Sequence, residues 1–551
     1  MSYHRVPLWQ SPLGAPKKGA NADEAPIDTH DETLFDNPQF EHYEQTSNIQ
    51  LFFDLFFVAN LTTFTSQHEI NSLDKLGSYI GFFCILWFTW CQVTLYDVRF
   101  ATDSVIERVA HACHFGVMIG LATVGPQFDP NSRNWNSFQQ LSLILMASRF
   151  VLLAQYGFTL VFTWKYKKTR VPLAIVMASL FIAAVIYLGL SFAFSTENTI
   201  QAYIGWYIVS VCEVGINIAV AGKWQIVSFD DTHLVERMTS LTLIVLGEGV
   251  IGLTGRIALI EKYDFSFTSA GIGTIVSSLL IIYLVYQLYF DNIQMEQFGA
   301  VRQQIWAFLH FPFHMALVLL MEGINQFVIW RHIIEALNRI FGPIDSLPDD
   351  GTTVSQYFNL LNQTAYDTLE VYWPQNNDTG IVDEILTSLD NLNPASNATG
   401  NISPDMAVES AETVVLELFK IVLEDFGFEA PGDVEGLDPL GQISAYYEVF
   451  TLVFGYFFTC AGIVLIGIAI LSWLSMTKEK RIWQYYIGIG GNFVLGVVTC
   501  LLSTMLLTAA ADNLGESPWT LPLLVFILVI ALLLNHVPVI HIRKHVQDNH
   551  E

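Results

Sequence analysis

Residues 171–194 read VPLAIVMASLFIAAVIYLGLSFAF, a run of 24 residues without one charged side chain. The hydrocarbon core of a bilayer requires an apolar helix of roughly 20 residues. The run therefore predicts a transmembrane helix. It also decides the fold class, because similar runs recur along most of the chain.

Twelve apolar segments of this kind predict an all-α, polytopic transmembrane helix bundle. The segments are 48–66, 77–95, 105–124, 138–162, 171–194, 199–219, 238–256, 267–290, 302–325, 446–475, 483–509 and 519–540. Those at 48–66 and 238–256 are the least regular, because polar residues interrupt both. The first follows a polar tail that lacks the features of a signal peptide, so cleavage is not expected.

The composition fits a membrane protein whose charge is unevenly placed. Of the 551 residues, 52 % are hydrophobic and 14 % are charged, against about 25 % charged in soluble domains. The net charge is −27, and residues 341–440 carry −18 of it, with 19 acidic residues against Lys420 alone. Residues 1–47 carry a further −5. This balance argues against a disordered or nucleic-acid-binding chain and predicts an acidic tail and an acidic insert on an apolar body.

The Lys and Arg residues of the loops predict the orientation in the membrane. With the N-terminus in the cytoplasm, cytoplasmic segments hold 17 of the 25 basic residues and the opposite loops hold seven. The acidic insert then lies outside the cytoplasm. It contains four Asn-X-Ser/Thr sequons, at Asn362, Asn377, Asn397 and Asn401. Their use as glycosylation sites would place the chain in a eukaryotic secretory-pathway or plasma membrane.

The predicted organisation has five parts. They are a cytoplasmic acidic tail at 1–47, nine spans at 48–340, the extracytoplasmic insert at 341–445, three spans at 446–540 and a cytoplasmic tail at 541–551. The insert has no cysteine, so no disulfide framework holds it together. Its apolar groups at 381–389 and 414–426 predict either short amphipathic helices over the membrane domain or a glycosylated, partly disordered loop.

Charged and histidine side chains inside the spans are the candidate functional residues. A charge at the centre of a spanning helix costs at least about 2.5–3.5 kcal/mol and usually faces a partner or a water-filled cavity. The candidates for a polar network are Asp54, Glu107, Arg108, His111, Arg149, Glu213, His233, Glu236, Arg237, Glu248, Asp291, His310 and Glu322.

These residues also have structural interpretations. Pairing with a buried carboxylate is the simplest account of Arg149, with Asp54, Glu213 and Glu248 as candidate partners. Residues near helix ends can extend to the membrane interface instead; they are Glu107, Arg108, Glu236 and Arg237. Buried histidines are more often hydrogen-bonded than metal-bound. The number of such groups, on at least six helices, nevertheless favours a polar pathway.

The sequence resembles the low temperature requirement A (LtrA) family of polytopic membrane proteins. Residues 50–58, QLFFDLFFV, are similar to the family's aromatic-flanked aspartate, although Gln50 stands where a carboxylate is expected. Residues 233–237, HLVER, and 245–248, VLGE, are similar to a second signature. Further matches are YDVR at 96–99, Arg108, Arg149, YFD at 289–291, HFP at 310–312 and Glu322. The resemblance implies a eukaryotic, fungal-like member with an added insert, and it implies no established activity.

An ion or proton-coupled transporter or channel is the function that these residues favour. Carboxylates in the spans would carry protons or cations, histidines would shuttle protons, and Arg149 would supply a counter-charge. The carriers would be Asp54, Glu213 and Glu248, and the shuttles His111 and His310. The hypothesis expects a pH-dependent flux that vanishes on Asp54→Asn or Glu248→Gln.

Two other functions stay open. An intramembrane metal-dependent hydrolase would use His310 and His314, a weak metal-ligand pair, with His111, His114 or a nearby Asp. A non-catalytic sensor or scaffold, linked to stress or cold adaptation, would bind partners through the insert. No Walker A, kinase, nucleophile-elbow or dinucleotide motif is evident, so an ATP-driven pump is not expected. Whether the protein is an enzyme stays open, with a non-enzymatic role favoured. The sequence implies no cofactor; the expected partners are the lipid bilayer, protons or small ions and a second copy of the chain.

Overall fold

The computed structural model describes residues 6–13, 40, 45–130, 134–194, 200–230, 232–262, 268–293, 299–347, 353–373, 379–393, 404–428, 437–476, 483–507 and 517–548. Within these residues the regular structure is helical, apart from one isolated bridge between Leu13 and Phe40. The predicted all-α fold class is therefore confirmed.

Fifteen α-helices lie in the described residues. They are α1 (Asn48–Gln67), α2 (Leu73–Phe100), α3 (Val105–Val124), α4 (Trp135–Thr163), α5 (Lys167–Ala193), α6 (Ile204–Lys223), α7 (Leu234–Lys262), α8 (Ser269–Asn292), α9 (Ala300–Asp345), α10 (Val354–Val371), α11 (Thr379–Leu392), α12 (Pro404–Asp425), α13 (Pro439–Ser475), α14 (Trp483–Leu502) and α15 (Thr520–Asp548). Eleven helices, α1–α9, α13 and α14, are long and apolar enough to cross a membrane, and α15 has a shorter apolar part at Thr520–His536. Each of these twelve helices overlaps one of the twelve predicted segments.

The ninth helix is longer than its predicted segment, 302–325. α9 continues to Asp345 because residues after 325 keep an apolar face with the period of a helix, on which Val328, Ile329 and Ile333 are buried. Charged residues in this part of α9 lower the hydropathy but do not end the helix. Arg331 and Glu335, for example, form an i,i+4 ion pair of 2.9 Å.

α2 lies at the centre of the bundle. It contacts α1, α4, α6, α7 and α9, and 78 % of its apolar window is buried. Trp87 and Trp90 are fully buried in these contacts. Since helices surround α2 on several sides, its polar side chains face other helices rather than lipid.

The described residues of the insert form α10, α11 and α12, and they pack against the bundle. α10 and α12 contact α9, and α12 also contacts α13. Val414 and Phe419 of α12 are buried, and the Phe419 ring packs edge-on against Tyr446 of α13 at 5.5 Å. This arrangement agrees with the amphipathic helices that one of the two sequence interpretations expected.

One of the four sequons lies in the described part of the insert. Asn362 is half-buried on α10. Asn377, Asn397 and Asn401 lie outside the described residues.

Candidate functional site

Asp54 of α1 and Arg237 of α7 form a fully buried ion pair. The Nη1 atom of Arg237 donates to Asp54 Oδ2 at 2.8 Å, and both side chains have 0 % exposure. The other carboxylate oxygen, Oδ1, accepts a hydrogen bond from Trp90 Nε1 at 2.7 Å. Arg237 also donates from Nη2 to Thr94 at 3.3 Å. Both oxygens of Asp54 are thus engaged, and the pair joins α1, α2 and α7.

Arg149 of α4 and Glu213 of α6 form the second buried ion pair. The Nε and Nη2 atoms of Arg149 donate to Glu213 Oε2 at 3.0 and 2.9 Å. The guanidinium also lies over the Tyr187 ring, 5.4 Å from its centroid. Of the three carboxylates that the sequence offered to Arg149, the structure selects Glu213 rather than Asp54 or Glu248.

Asp97, Glu107 and His111 form the α2–α3 cluster, where the end of α2 meets the start of α3. Ser104 caps α3 by accepting a hydrogen bond from the Glu107 backbone N–H at 3.3 Å. One turn later, the Nε2 atom of His111 lies 3.3 Å from Asp97 Oδ2. One ligating atom from each residue of the α2–α3 cluster lies within 4.8 Å of the other two, and all three residues are buried.

Gln155 of α4 supports the α2–α3 cluster. Its Nε2 donates to Glu107 Oε1 at 2.7 Å, and its Oε1 lies 2.8 Å from His114 Nε2. Because an amide oxygen only accepts, His114 donates in this contact. Two buried atoms here have no hydrogen-bond partner, Asp97 Oδ1 and His114 Nδ1. The α2–α3 cluster is therefore supported on one side and has an unused carboxylate oxygen.

A cavity of about 500 Å³ lies beside the α2–α3 cluster, and Glu107 and His111 are among its lining residues. Gln50 and His233 also line it, with Gln50 Oε1 3.1 Å from His233 Nε2. Gln50, at the position where the resemblance led us to expect a carboxylate, thus serves as a neutral partner of His233.

The rim of the cavity carries an exposed ion pair. Arg108 lies 2.9 Å from Asp103, and both side chains are more than half exposed. Arg108 is therefore a surface residue of the cavity and does not reach the interior.

Two other predicted network residues lie away from the buried clusters. Glu236 accepts a hydrogen bond from the Thr46 backbone N–H at 3.2 Å, which ties the segment before α1 to α7. Asp291 is exposed at the end of α8. Neither contributes to the ion pairs or to the α2–α3 cluster.

Glu248 of α7 and Glu322 of α9 are the α7–α9 carboxylates. They are buried and interact electrostatically with each other. Thr62 donates to Glu248 Oε2 at 3.2 Å. Among the residues that the structure describes, no Lys, Arg or His nitrogen lies within 4.0 Å of either carboxylate.

The close packing of α7 on α9 brings these carboxylates together. A Cβ atom at Gly249 would lie 2.5 Å from Met321 Sδ, whereas one at Gly247 would have no neighbour within 4 Å. Gly249 thus permits the close approach of the two helices. Glu248 precedes Gly249, and Glu322 follows Met321.

His310 and His314 of α9 are fully buried, and all four ring nitrogens have hydrogen-bond partners. Those of His310 lie 2.8 Å from Tyr289 Oη and 2.8 Å from the Trp306 carbonyl oxygen. Those of His314 contact Trp87 Nε1 at 3.2 Å and Thr242 Oγ1 at 2.8 Å. A metal ion at this pair would have to displace hydrogen bonds, so the geometry favours a hydrogen-bonded role.

The sequence did not single out Asp97, Gln155 or Arg99 as site residues, although all three are buried. Arg99 donates to Tyr156, Asn217 and two backbone carbonyl oxygens instead of a carboxylate. Asp97 and Arg99 lie in the last turn of α2, where charged residues usually mark the membrane interface. One indication of their importance was available in the sequence, since both lie in the YDVR motif at 96–99 that resembles the LtrA family.

Eleven apolar helices of spanning length with charged groups between them define a polytopic α-helical membrane protein. A family model described as "Bacterial low temperature requirement A protein (LtrA)" matches residues 45–340, more than half of the chain. The chain therefore belongs to the LtrA family. No curated protein and no solved structure matches it. The matched region contains both ion pairs, the α2–α3 cluster and the α7–α9 carboxylates.

Proposed function

We propose that the protein is an ion or proton-coupled transporter or channel in which the α7–α9 carboxylates carry the proton or cation. Intramembrane acids commonly mark ion pathways and proton relays. Asp54 and Glu213, the other predicted carriers, are each held by an arginine. We therefore assign these two residues a structural role and place transport at Glu248 and Glu322.

The observation that carries this proposal is the burial of two acids with no Lys, Arg or His nitrogen within 4.0 Å in the described residues. Arg256 attracts Glu322 from a longer distance, and no described cation acts on Glu248. Glu248 and Glu322 interact electrostatically, and like charges in an apolar interior repel strongly. A buried carboxylate without a cationic partner is tolerated when it binds a proton or a cation. Binding and release of such an ion is the elementary step of coupled transport.

Polar groups around the α7–α9 carboxylates support a pathway. The Tyr79 hydroxyl interacts electrostatically with both carboxylates. The Asn325 Oδ1, Gln326 Oε1 and Tyr456 Oη atoms are buried without a hydrogen-bond partner. Such groups commonly bind internal water or ions, and hydration here would connect the carboxylates to one another.

The proposal is tested with purified protein in liposomes that contain a pH-sensitive dye. An imposed pH gradient or membrane potential should drive flux through the wild type, and Glu248→Gln or Glu322→Gln should reduce it to the level of protein-free liposomes. Glu261→Gln is the matched control, because Glu261 lies on the same helix but is exposed. Wild-type flux in both Glu248→Gln and Glu322→Gln would contradict the proposal.

We further propose that both termini face the cytoplasm and that the 341–445 insert is extracytoplasmic and glycosylated in a eukaryotic secretory-pathway or plasma membrane. The Lys and Arg distribution and the four sequons support this orientation. Glycosidase treatment of protein made in eukaryotic cells should lower its apparent mass, and replacing all four sequon asparagines with Gln should remove that shift. An unglycosylated insert that cytosolic protease cleaves would contradict this topology.

A further inference from the structure

We propose that the α2–α3 cluster binds one divalent transition-metal ion through Asp97, Glu107 and His111. This site is separate from the α7–α9 carboxylates and does not depend on their proposed role in transport. The inference rests on the spacing of the ligating atoms, the groups that orient them, an unpartnered carboxylate oxygen and the adjacent cavity.

The contact between His111 and Asp97 has the spacing of two ligands of one ion. The His111 Nδ1 atom lies 3.0 Å from the Glu107 carbonyl oxygen, which only accepts hydrogen bonds. This nitrogen therefore carries a proton, and in the neutral ring the Nε2 lone pair faces Asp97 Oδ2 at 3.3 Å. Two ligands at about 2.1 Å from a tetrahedral ion lie about 3.4 Å apart. The same two atoms form a buried ion pair when Nε2 carries a proton, and a metal ion between them would take the place of that proton.

The ligating side chains have the hydrogen-bond partners that metal ligands usually have. A metal-bound histidine typically donates its other ring N–H to a carbonyl or carboxylate oxygen, and ligating carboxylates are hydrogen-bonded in turn. Here His111 donates to a backbone carbonyl, and Glu107 Oε1 accepts from Gln155 at 2.7 Å. Both ligand side chains are thereby held in place.

Asp97 supplies an independent observation that points to a ligand. Its exposed fraction is 2 %, and its Oδ1 atom is buried without a hydrogen-bond partner. A buried carboxylate oxygen that no protein group satisfies is costly. Coordination by a cation would satisfy it, with Asp97 binding the ion through one or both oxygens.

The donor set selects the class of ion. In the described residues, neither Asp97 nor Glu107 has a Lys or Arg partner within 4.0 Å, so two carboxylates and a neutral imidazole match a double positive charge. Imidazole nitrogen with carboxylate oxygen suits Zn²⁺, Mn²⁺ or Fe²⁺, whereas Ca²⁺ and Mg²⁺ prefer oxygen ligands alone.

The cavity gives the site access and free coordination positions. Glu107 and His111 line a space of about 500 Å³, which is large enough for hydrated ions and small anions to enter. Three protein ligands leave at least one coordination position open. Water or a small anionic ligand in the cavity would complete the coordination.

The test uses the purified full-length protein in detergent, stripped with a chelator and then titrated with Co²⁺ and Zn²⁺. We expect one ion per chain after gel filtration, measured by elemental analysis, and a Co²⁺ absorption spectrum of a four- or five-coordinate nitrogen–oxygen site. No stoichiometric ion in the wild type, or a spectrum of hydrated Co²⁺ only, would overturn the proposal. These wild-type measurements do not depend on how any variant folds.

The ligands are then removed one at a time. Asp97→Asn, Glu107→Gln and His111→Gln should each weaken metal binding by at least about tenfold, and Gln155→Met by about 10–100-fold, as is usual for a supporting group. Asp103→Asn removes a carboxylate from the exposed rim of the same cavity and should leave affinity unchanged. Equal binding by the wild type and His111→Gln would overturn the proposal, as would a loss in Asp103→Asn as large as in Asp97→Asn.

Discussion

The two ion pairs and the two acidic clusters occupy the same bundle but treat charge in opposite ways. Asp54 and Glu213 each face an arginine within 3 Å, with both carboxylate oxygens engaged. In the described residues the α2–α3 cluster and the α7–α9 carboxylates have no arginine at that distance. Asp97 has only His111, at 3.3 Å, and one of its oxygens has no partner; Arg256 acts on Glu322 from beyond 4.0 Å. The comparison teaches that burial alone does not identify a functional residue. A buried carboxylate that is paired with an arginine joins helices, whereas one without an arginine partner can bind an ion.

The largest expected effect is at the first ion pair. Asp54→Asn leaves Arg237 buried without a counter-charge, and breaking a buried pair typically costs about 3–5 kcal/mol. The free energy of unfolding in micelles should fall by that amount. The double variant Asp54→Asn with Arg237→Gln removes both charges and should recover most of the loss. A double variant as unstable as the single one would mean that the ion pair itself holds the bundle.

The second ion pair depends on the shape of the guanidinium. Arg149→Lys keeps the charge but loses the bidentate contact with Glu213 and the stacking on Tyr187. We expect the free energy of unfolding to fall by about 1.5–3 kcal/mol, the value of a hydrogen bond to a charged group. Equal stability of the wild type and Arg149→Lys would show that the planar guanidinium of Arg149 contributes nothing to the free energy of unfolding beyond its charge.

A smaller effect is expected where α7 meets α9. Gly249→Ala places a methyl group against Met321 and should destabilise by about 1 kcal/mol, the lower end for overpacking, because Met is flexible. Gly247→Ala is the matched control, since nothing lies within 4 Å of its Cβ position. It should stabilise the protein by about 0.4–1 kcal/mol. Equal melting temperatures of the two variants would remove the argument for close packing at Gly249.

The smallest effect on stability is expected at the α7–α9 carboxylates. Glu248→Gln removes a charge that no described cation offsets, and the new amide can still accept from Thr62. The free energy of unfolding should change by less than about 1 kcal/mol, although flux is expected to disappear. A loss as large as that of Asp54→Asn would place Glu248 among the structural charges.

The pattern of apolar residues within each segment was enough to predict the membrane-spanning helices. The first span, predicted at 48–66, forms at Asn48–Gln67, because its length and apolar content are properties of the segment itself. The pattern failed at the end of α9, where an amphipathic continuation lies beyond the apolar run.

The pairing of charges could not be predicted from the sequence. Arg237 is 183 residues from Asp54, and Arg149 is 64 residues from Glu213, so the partner depends on which helices pack together. Asp97 was missed for a related reason. It lies near a helix end, where a charge usually faces water, and only the packing of α3 and α4 against α2 buries it.

The most direct test of the distinction between satisfied and unsatisfied charges is flux in proteoliposomes for two variants with equal amounts of reconstituted protein. Our account predicts that the Asp54→Asn, Arg237→Gln double variant transports at a rate close to that of the wild type, whereas Glu248→Gln does not exceed protein-free liposomes. The account would be contradicted by the reverse result, in which the double variant is inactive and Glu248→Gln transports normally.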